Sequence, residues 1–294
     1  MNTIKNTLVL LRFPFSIYLL PVFLFAISQA QGLNSTKTFL VFIILHFLIY
    51  PASNGYNSYM DQDTDSIGGL ESPPPSTRLL LYASLTLDVL AIVLSLWLVN
   101  VTFTLMAIGY ILASRAYSSR SIRLKKYPII SFLVVFLFQG AFTFMMVIVG
   151  SSSLSLIEIF DSKLVFAAVA ASLMIGGGYP LTQIYQHQSD ADNGDRTLSM
   201  VLNYKGTFLF SIMLFGMAGI CLFAYFWDQQ NISHFLIFQL FSAPLLMWFV
   251  IWMRKVWKNN EAANYRNTMR MNNISAICMN LFYGMLIVIN QITI

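Results

Sequence analysis

Long runs of apolar residues constrain the fold of this chain more than any other feature of its sequence. Nine such runs are each about 20 residues long, which is enough for a helix to cross the hydrocarbon core of a bilayer. The predicted spans are 8–30, 38–58, 79–99, 101–118, 129–150, 163–187, 206–227, 233–253 and 272–293. The sequence therefore predicts an all-α fold, a polytopic membrane helical bundle of about nine transmembrane helices, in which 1–294 form a single domain.

The composition supports a membrane protein. Only 10% of the residues are charged, whereas a soluble domain carries about 25%. A net charge of +5 does not indicate a nucleic-acid partner, because the basic residues lie in short loops between the apolar runs. Cys221 and Cys278 lie inside such runs and are interpreted as core residues rather than a disulfide or metal site.

The basic residues divide unequally between the two ends of the predicted helices. Fifteen of the seventeen Lys and Arg residues lie at the N-terminus or near the loops after the second, fourth, sixth and eighth spans, and the exceptions are Lys37 and Lys163. Cytoplasmic loops carry the excess of Lys and Arg in membrane proteins. We therefore predict an integral protein of a bacterial inner membrane, with the N-terminus and these loops in the cytoplasm and the C-terminus outside.

Two clusters of acidic residues follow spans that end on this predicted cytoplasmic side. In the first cluster Asn57, Asp61 and Asp65 are four residues apart, so they would form a row along one face if the helix of the second span continued. In the second cluster Gln186 and Asp190 repeat this spacing, and Asp195 follows. Either cluster alone could consist of solvated loop carboxylates, but two acidic clusters within a basic set of loops indicate a site.

Closely packed carboxylates repel each other unless a cation neutralises them. Mg²⁺ suits such a site, because it takes oxygen ligands and commonly binds through one or two carboxylates together with substrate phosphates. The loop after the fourth span adds Arg123 and Lys125, which could bind phosphate oxygens, although an ordinary positively charged loop is an equal interpretation. The combination predicts a site for Mg²⁺ and a diphosphate.

These residues resemble the motifs of the UbiA superfamily of intramembrane prenyltransferases. Asn57, Asp61 and Asp65 match its first motif, Asn-x-x-x-Asp-x-x-x-Asp, while Asp190 and Gly194-Asp-Arg-Thr-Leu198 match the second half of its other motif. The resemblance covers nearly the whole chain in order.

Two further segments are similar to the same family. The stretch from Tyr117 through Arg123 to Lys125 is similar to the family's loop after the fourth helix, and Arg12-Phe-Pro14 is similar to the start of its first helix.

The resemblance implies transfer of an isoprenoid group from a prenyl diphosphate to an acceptor, typically aromatic, as in the biosynthesis of quinones and related lipids. It implies Mg²⁺ as cofactor and membrane lipid as surroundings, with a hydrophobic or aromatic acceptor, no nucleic acid and no obligate protein partner. The implied catalytic metal ligands are Asp61, Asp65 and Asp190. The implied substrate-binding residues are Asn57, Tyr117, Arg123, Lys125, Gln186, Asp195 and Arg196.

The sequence departs from the family's motifs at two positions. Gln186 stands where the second motif usually begins with Asp, and Glu71 lies where many members carry a basic residue. These departures leave open a catalytically weakened homologue, and the carboxylates alone leave open an ion-coupled membrane transporter. Asp88, within the third span, is either a functional carboxylate or a hydrogen-bonded structural one.

The charge distribution generates a test of topology. A reporter that is active only in the cytoplasm should give signal when fused to the N-terminus and none when fused to the C-terminus, because an odd number of spans separates the two ends. Signal from the C-terminal fusion would contradict the count of nine spans.

Overall fold

The computed structural model describes residues 2–160 and 163–292, and nearly all of its regular structure is helical. Its β structure within these ranges is one isolated bridge between Ile67 and Leu70. Within the described residues, seven helices are long and apolar enough to cross a membrane, and a bent N-terminal pair raises this number to eight if it is one span. The seven are Ser35–Asp61, Arg78–Leu98, Pro128–Ser151, Leu164–Gln183, Leu198–Asp228, Ile232–Lys258 and Tyr265–Asn290. The prediction of an all-α membrane bundle is confirmed.

The first predicted span is a broken helix. Its two parts, Asn2–Tyr18 and Leu20–Gln29, meet at an angle of 41°. Within the first part, Arg12 takes a left-handed conformation with φ of 49°, so the chain changes direction there too. The Arg12 side chain is buried and therefore lies inside the bundle instead of at its periphery.

The fourth predicted span is the helix Val101–Ser118, whose 18 residues make it the shortest of the predicted spans. Asn100 separates it from the third span, as the sequence suggested. The Asn100 side chain accepts a hydrogen bond from the backbone N–H of Phe103 at 2.7 Å and donates one to the carbonyl of Val149 at 2.9 Å. An N-cap of this kind satisfies backbone groups that a helix end would otherwise leave unpaired.

An intramembrane ion pair joins the second, third and fourth spans. The Arg115 guanidinium donates through Nε to Asp88 Oδ2 at 2.9 Å, lies 4.2 Å from the ring centroid of Tyr56 and donates to the carbonyl of Ala52. Asp88 lies outside the cavity lining described below. Of the two interpretations of Asp88, the structural one agrees with these contacts.

The fifth span contains a π-helical segment, Phe136–Phe142. Its backbone leaves helical geometry at Gly140, where the sixth span approaches so closely that a Cβ atom would lie 2.4 Å from the Cα of Ser172. The Ser172 hydroxyl accepts the N–H of Ala141 at 2.8 Å. This contact supplies a partner for a backbone donor in the irregular turn, as an apolar environment requires.

The loops after the even-numbered spans meet at one end of the bundle. Contacts between them include the hydrogen bond from Gln186 Nε2 to the carbonyl of Ser66 at 3.3 Å and the ion pair between Arg123 and Asp195. The ring of Tyr265, after the eighth span, packs against the ring of Tyr185, so this loop joins the others. Successive spans run in opposite directions, so the loops after every second span lie at the same end of the bundle. This arrangement brings both acidic clusters together.

Removing one partner of the Asp88–Arg115 pair should destabilise the protein. Asp88→Leu leaves the Arg115 guanidinium buried without a counter-charge, which should lower the free energy of unfolding by about 3–5 kcal/mol. Thermal unfolding in detergent measures the change. The double variant Asp88→Leu, Arg115→Leu should recover most of it, because an apolar pair can replace a buried ion pair at little cost. Equal melting of the single variant and wild type would contradict a structural role.

Candidate functional site

A cavity of about 410 Å³ extends from the meeting point of the loops into the bundle. Side chains of the first, second, fourth, fifth, sixth and ninth spans line it, so its wall depends on contacts between distant parts of the chain. Seven of the residues predicted for the site are in its lining: Asn57, Asp61, Tyr117, Lys125, Gln186, Asp190 and Asp195.

The first acidic cluster contributes two of its three predicted residues to the cavity. Asn57 and Asp61 share a helix face, and Asn57 Nδ2 donates to Asp61 Oδ2 at 3.0 Å and to Ser118 Oγ at 3.0 Å. The helix ends at Asp61, however, because Gln62 takes a left-handed conformation with φ of 53°. The predicted row along one helix face is therefore wrong for Asp65, which lies exposed in the following loop and outside the cavity lining.

Asp63, which the sequence analysis did not assign to the site, faces the cavity, whereas Asp65 is outside the lining. The burial of Asp63, together with the charge of Asp61, raises the pKa of its carboxyl group to about 6. Asp, Thr and Ser favour turns over helix interiors because their side chains compete for backbone hydrogen bonds. The run after Gln62 is rich in these residues, which gives a local reason for the helix end.

The basic loop connects the two acidic clusters. Arg123 binds Asp195 in a bidentate arrangement, with Nε 2.7 Å from Oδ1 and Nη2 2.8 Å from Oδ2. Lys125 Nζ lies 2.7 Å from Asp61 Oδ2 and 3.3 Å from Asp195 Oδ2. The hydrogen bonds to Asp195 also raise the pKa of Arg123. The predicted anion-binding cations are thus placed at the site, where they neutralise its own carboxylates.

Asp190 is the least compensated carboxylate of the site. Its Oδ2 atom is buried without a hydrogen-bond partner among the residues of known placement. Burial, with the neighbouring carboxylates of Asp195, Asp63 and Asp61, raises its pKa to about 7, against an opposing effect of Lys125. A bound cation would favour the ionised form, so the electrostatics of this carboxylate suit a metal ligand.

The donor set suits a metal that shares its coordination with a substrate. No group of three or more His, Cys, Asp or Glu side chains within 2–160 and 163–292 is arranged to hold an ion by itself. Asp61 Oδ1 and Asp190 Oδ2 accept no hydrogen bond from the residues that the structure describes, although Arg123 lies 3.7 Å from Asp61 Oδ1. These two oxygens are hard ligands of the kind Mg²⁺ takes, and this ion usually completes its shell with water and phosphate oxygens. These residues therefore fit Mg²⁺ bound together with a diphosphate.

Gln186 connects the two acidic segments through its amide. It directly precedes the short helix His187–Asp192, and its backbone carbonyl accepts the N–H of Asp190 at 2.8 Å, as the predicted one-turn spacing requires. Its side-chain Nε2 donates to the carbonyl of Ser66. An ionised Asp at this position could not donate this hydrogen bond, so the departure from the family motif has a structural consequence.

The remaining predicted residues differ in their placement. Tyr117 lines the cavity, and its hydroxyl lies 2.7 Å from that of Tyr179, which the sequence analysis did not identify. Arg123 reaches the site through its ion pairs, whereas Arg196 is exposed and outside the lining. Arg12, noted only as a helix start, also lines the cavity, where it donates to the backbone carbonyls of Gly68 and Asn54.

Comparison with known proteins agrees with this geometry. Residues 18–274 match the sequence model of the UbiA prenyltransferase family. No protein of curated function matches the sequence.

Several solved structures share the fold. One is described as digeranylgeranylglyceryl phosphate synthase in membranes, with 21% identity, 98% of each chain covered and a TM-score of 0.61. Another is a UbiA homolog from Archaeoglobus fulgidus bound to DMAPP and Mg²⁺, with 15% identity, 96% of this chain and 99% of that chain covered, and a TM-score of 0.68. The structure of the same homolog bound to GPP and Mg²⁺ has 16% sequence identity to this chain and a TM-score of 0.67.

The unpaired oxygen of Asp190 generates a prediction about diphosphate binding. Asp190→Asn should weaken binding of inorganic diphosphate in the presence of Mg²⁺ by roughly tenfold or more, because a charged ligand contributes about 1.5–3 kcal/mol. Without Mg²⁺ the same variant should bind no more weakly than wild type, since it has lost a repelling charge. Calorimetric titration in detergent measures both.

Asp192→Asn is the matched control for this experiment. Asp192 lies two residues further along, is exposed and accepts a hydrogen bond from Gln188 at 2.9 Å, so its variant should bind like wild type. Equal binding by the Asp190 and Asp192 variants with Mg²⁺ would overturn the assignment of Asp190.

Proposed function

The chain belongs to the UbiA prenyltransferase family, and from this premise we propose that it transfers an isoprenoid group from a prenyl diphosphate to a lipid-soluble acceptor, with Mg²⁺ as cofactor. One observation carries the proposal: two acidic segments and a basic loop, distant in sequence, converge on one cavity within a membrane bundle. The solved relatives that bind DMAPP or GPP together with Mg²⁺ support the choice of donor and metal.

Asp61 and Asp190 are the proposed metal ligands, because each lines the cavity and has a buried oxygen that accepts no hydrogen bond from the described part of the chain. Asp65 is also a proposed metal ligand, because it matches the last position of the family's first motif. The loop that carries Asp65 must then move toward the cavity mouth when the donor binds. Mg²⁺ bound here would neutralise negative charge on the diphosphate and make it a better leaving group.

Arg123 and Lys125 are proposed to exchange partners when the donor enters. In the resting site their charges face Asp61 and Asp195. A diphosphate offers these cations more negative charge than the carboxylates do, and Arg presents a planar fork that matches two phosphate oxygens. Asn57 would keep Asp61 oriented through its hydrogen bond.

The proposed reaction begins at the diphosphate end of the donor. The allylic C–O bond of the donor breaks, and its electron pair leaves with the diphosphate. Tyr117 and Tyr179 line the same cavity, and we propose that their rings stabilise the allylic cation by cation–π attraction. The acceptor ring then supplies the electron pair of the new C–C bond and loses a proton, while the apolar wall of the cavity keeps water from the cation.

We propose an aromatic acceptor, as in quinone or related lipid biosynthesis. The cavity lies among membrane-spanning helices and carries apolar and aromatic side chains beneath its charged mouth. Such a wall suits a flat hydrophobic ring beside a hydrocarbon tail. Gln186 would then contact the metal-bound diphosphate or the acceptor, in addition to the backbone carbonyl of Ser66.

A transfer assay tests the proposal. The purified protein in lipid nanodiscs, given radiolabelled prenyl diphosphates and a panel of aromatic acceptors, should form prenylated product and diphosphate only with Mg²⁺. Asp61→Asn and Asp190→Asn should each reduce turnover by about 100-fold, which is the scale on which one preorganised charge partner contributes to catalysis.

Asp228→Asn provides the control, because Asp228 pairs with Lys163 on the surface and lies outside the cavity lining. This variant should turn over donor at the wild-type rate. Product formation that does not depend on Mg²⁺, or wild-type turnover by both site variants, would refute the proposed mechanism.

A further inference from the structure

Charge and polarity are arranged by depth along the wall of the cavity. All the charged residues in the lining belong to its mouth and the loops around it: Arg12, Asp61, Asp63, Lys125, Asp190 and Asp195. Deeper in the bundle the lining is uncharged, but it is not entirely apolar. Tyr50 lies eleven residues before Asp61 in its helix, and Gln139 lies eleven residues after Pro128, so each is about 16 Å from the mouth along a helix axis.

The Tyr50 hydroxyl is a buried polar group that makes no well-formed hydrogen bond with the residues that the structure describes. The residue is only 2% exposed and lines the cavity, and the Thr143 hydroxyl lies within electrostatic reach of its Oη without the distance and angle of a normal hydrogen bond. It faces Thr143, whose own hydroxyl is donated to the carbonyl of Phe138 at 2.6 Å. The ring is held at the edge of Tyr110 and His46, so the hydroxyl cannot readily turn toward solvent.

Gln139 occupies the π-helical turn of the fifth span. Its amide also lines the cavity and makes no hydrogen bond within the described part of the chain. The turn is fixed by the close approach of Ser172 to Gly140 and by the hydrogen bond from Ala141. Irregular turns of this kind are frequent at functional sites, and a polar side chain at this depth is costly unless something binds it.

Both groups line the same cavity. Thr143, which Tyr50 faces, is the first residue after the π-helical turn that carries Gln139. One ligand could therefore contact both the hydroxyl of Tyr50 and the amide of Gln139.

We propose that Tyr50 and Gln139 bind an uncharged oxygen, a hydroxyl or a carbonyl, of the prenyl acceptor. This inference rests on the proposed function and specifies the acceptor class. The isoprenoid tail of the donor is a hydrocarbon and cannot satisfy either group, whereas an acceptor oxygen satisfies both. Of the cations in the described lining, Arg12 is bound to the backbone carbonyls of Asn54 and Gly68 and Lys125 to Asp61 and Asp195, so a carboxylate beside Tyr50 and Gln139 would have no cation of its own, which is strongly unfavourable. The site therefore selects neutral phenols, hydroxyquinones or related rings over aromatic acids at its deep end.

Kinetics with paired acceptors test the inference. For a neutral acceptor with a hydroxyl group, Tyr50→Phe and Gln139→Leu should each raise the acceptor KM about tenfold, the scale of one lost hydrogen bond. The donor KM and the Mg²⁺ dependence should not change. For the analogue in which hydrogen replaces that hydroxyl, wild type and both variants should show the same KM.

Tyr225→Phe is the matched control, because it removes a buried tyrosine hydroxyl that lies away from the cavity. It should leave the acceptor KM unchanged, and thermal melting confirms that each variant is folded. If the wild type makes product and both variants keep its KM for the hydroxylated acceptor, the inference is wrong while the proposed function stands. Preferred turnover of the carboxylic acid analogue would also overturn it. A wild type that transfers no prenyl group from any donor would remove both proposals.

Discussion

Four charged side chains hold the site together. Arg123 and Lys125, on the loop after the fourth span, bind Asp61 at the end of the second span and Asp195 after the sixth. Each charge is partly buried, so none could be retained there without its partners. Because the loops belong to separate hairpins, this network fixes which helix ends surround the cavity mouth and how far apart they lie.

In the proposed function, the same network would receive an anion. Its cations are already partly desolvated and oriented, so a diphosphate that replaced the carboxylates would meet preorganised donors rather than mobile surface lysines. The displaced carboxylates would then face the added charge and would need a cation of their own. The pKa of Asp190, which burial raises to about 7, agrees with this requirement.

The membrane explains the contrast between the mouth and the depth of the cavity. Ionic groups are tolerated near the loops, where water and counter-charges are close, and become costly toward the bilayer centre. Asp88 and Arg115 are a charged exception inside the bundle, and they neutralise each other away from the cavity wall. Deep in the cavity, neutral groups such as those of Tyr50 and Gln139 line the wall, and we propose that recognition there depends on them.

The sequence by itself determined the helical spans, the common end at which the acidic and basic segments meet, and the one-turn spacing of Asn57 to Asp61 and of Gln186 to Asp190. These features depend on local periodicity and composition, which a single segment carries. Only the tertiary structure decided that the helix stops before Asp65, that Asp63 faces the cavity, and that Gln186 donates to Ser66. It also decided that Tyr50 faces Thr143, directly after the π-helical turn. These outcomes depend on contacts between segments far apart in the chain, and hydrophobic periodicity contains no information about which polar groups such contacts leave paired or free.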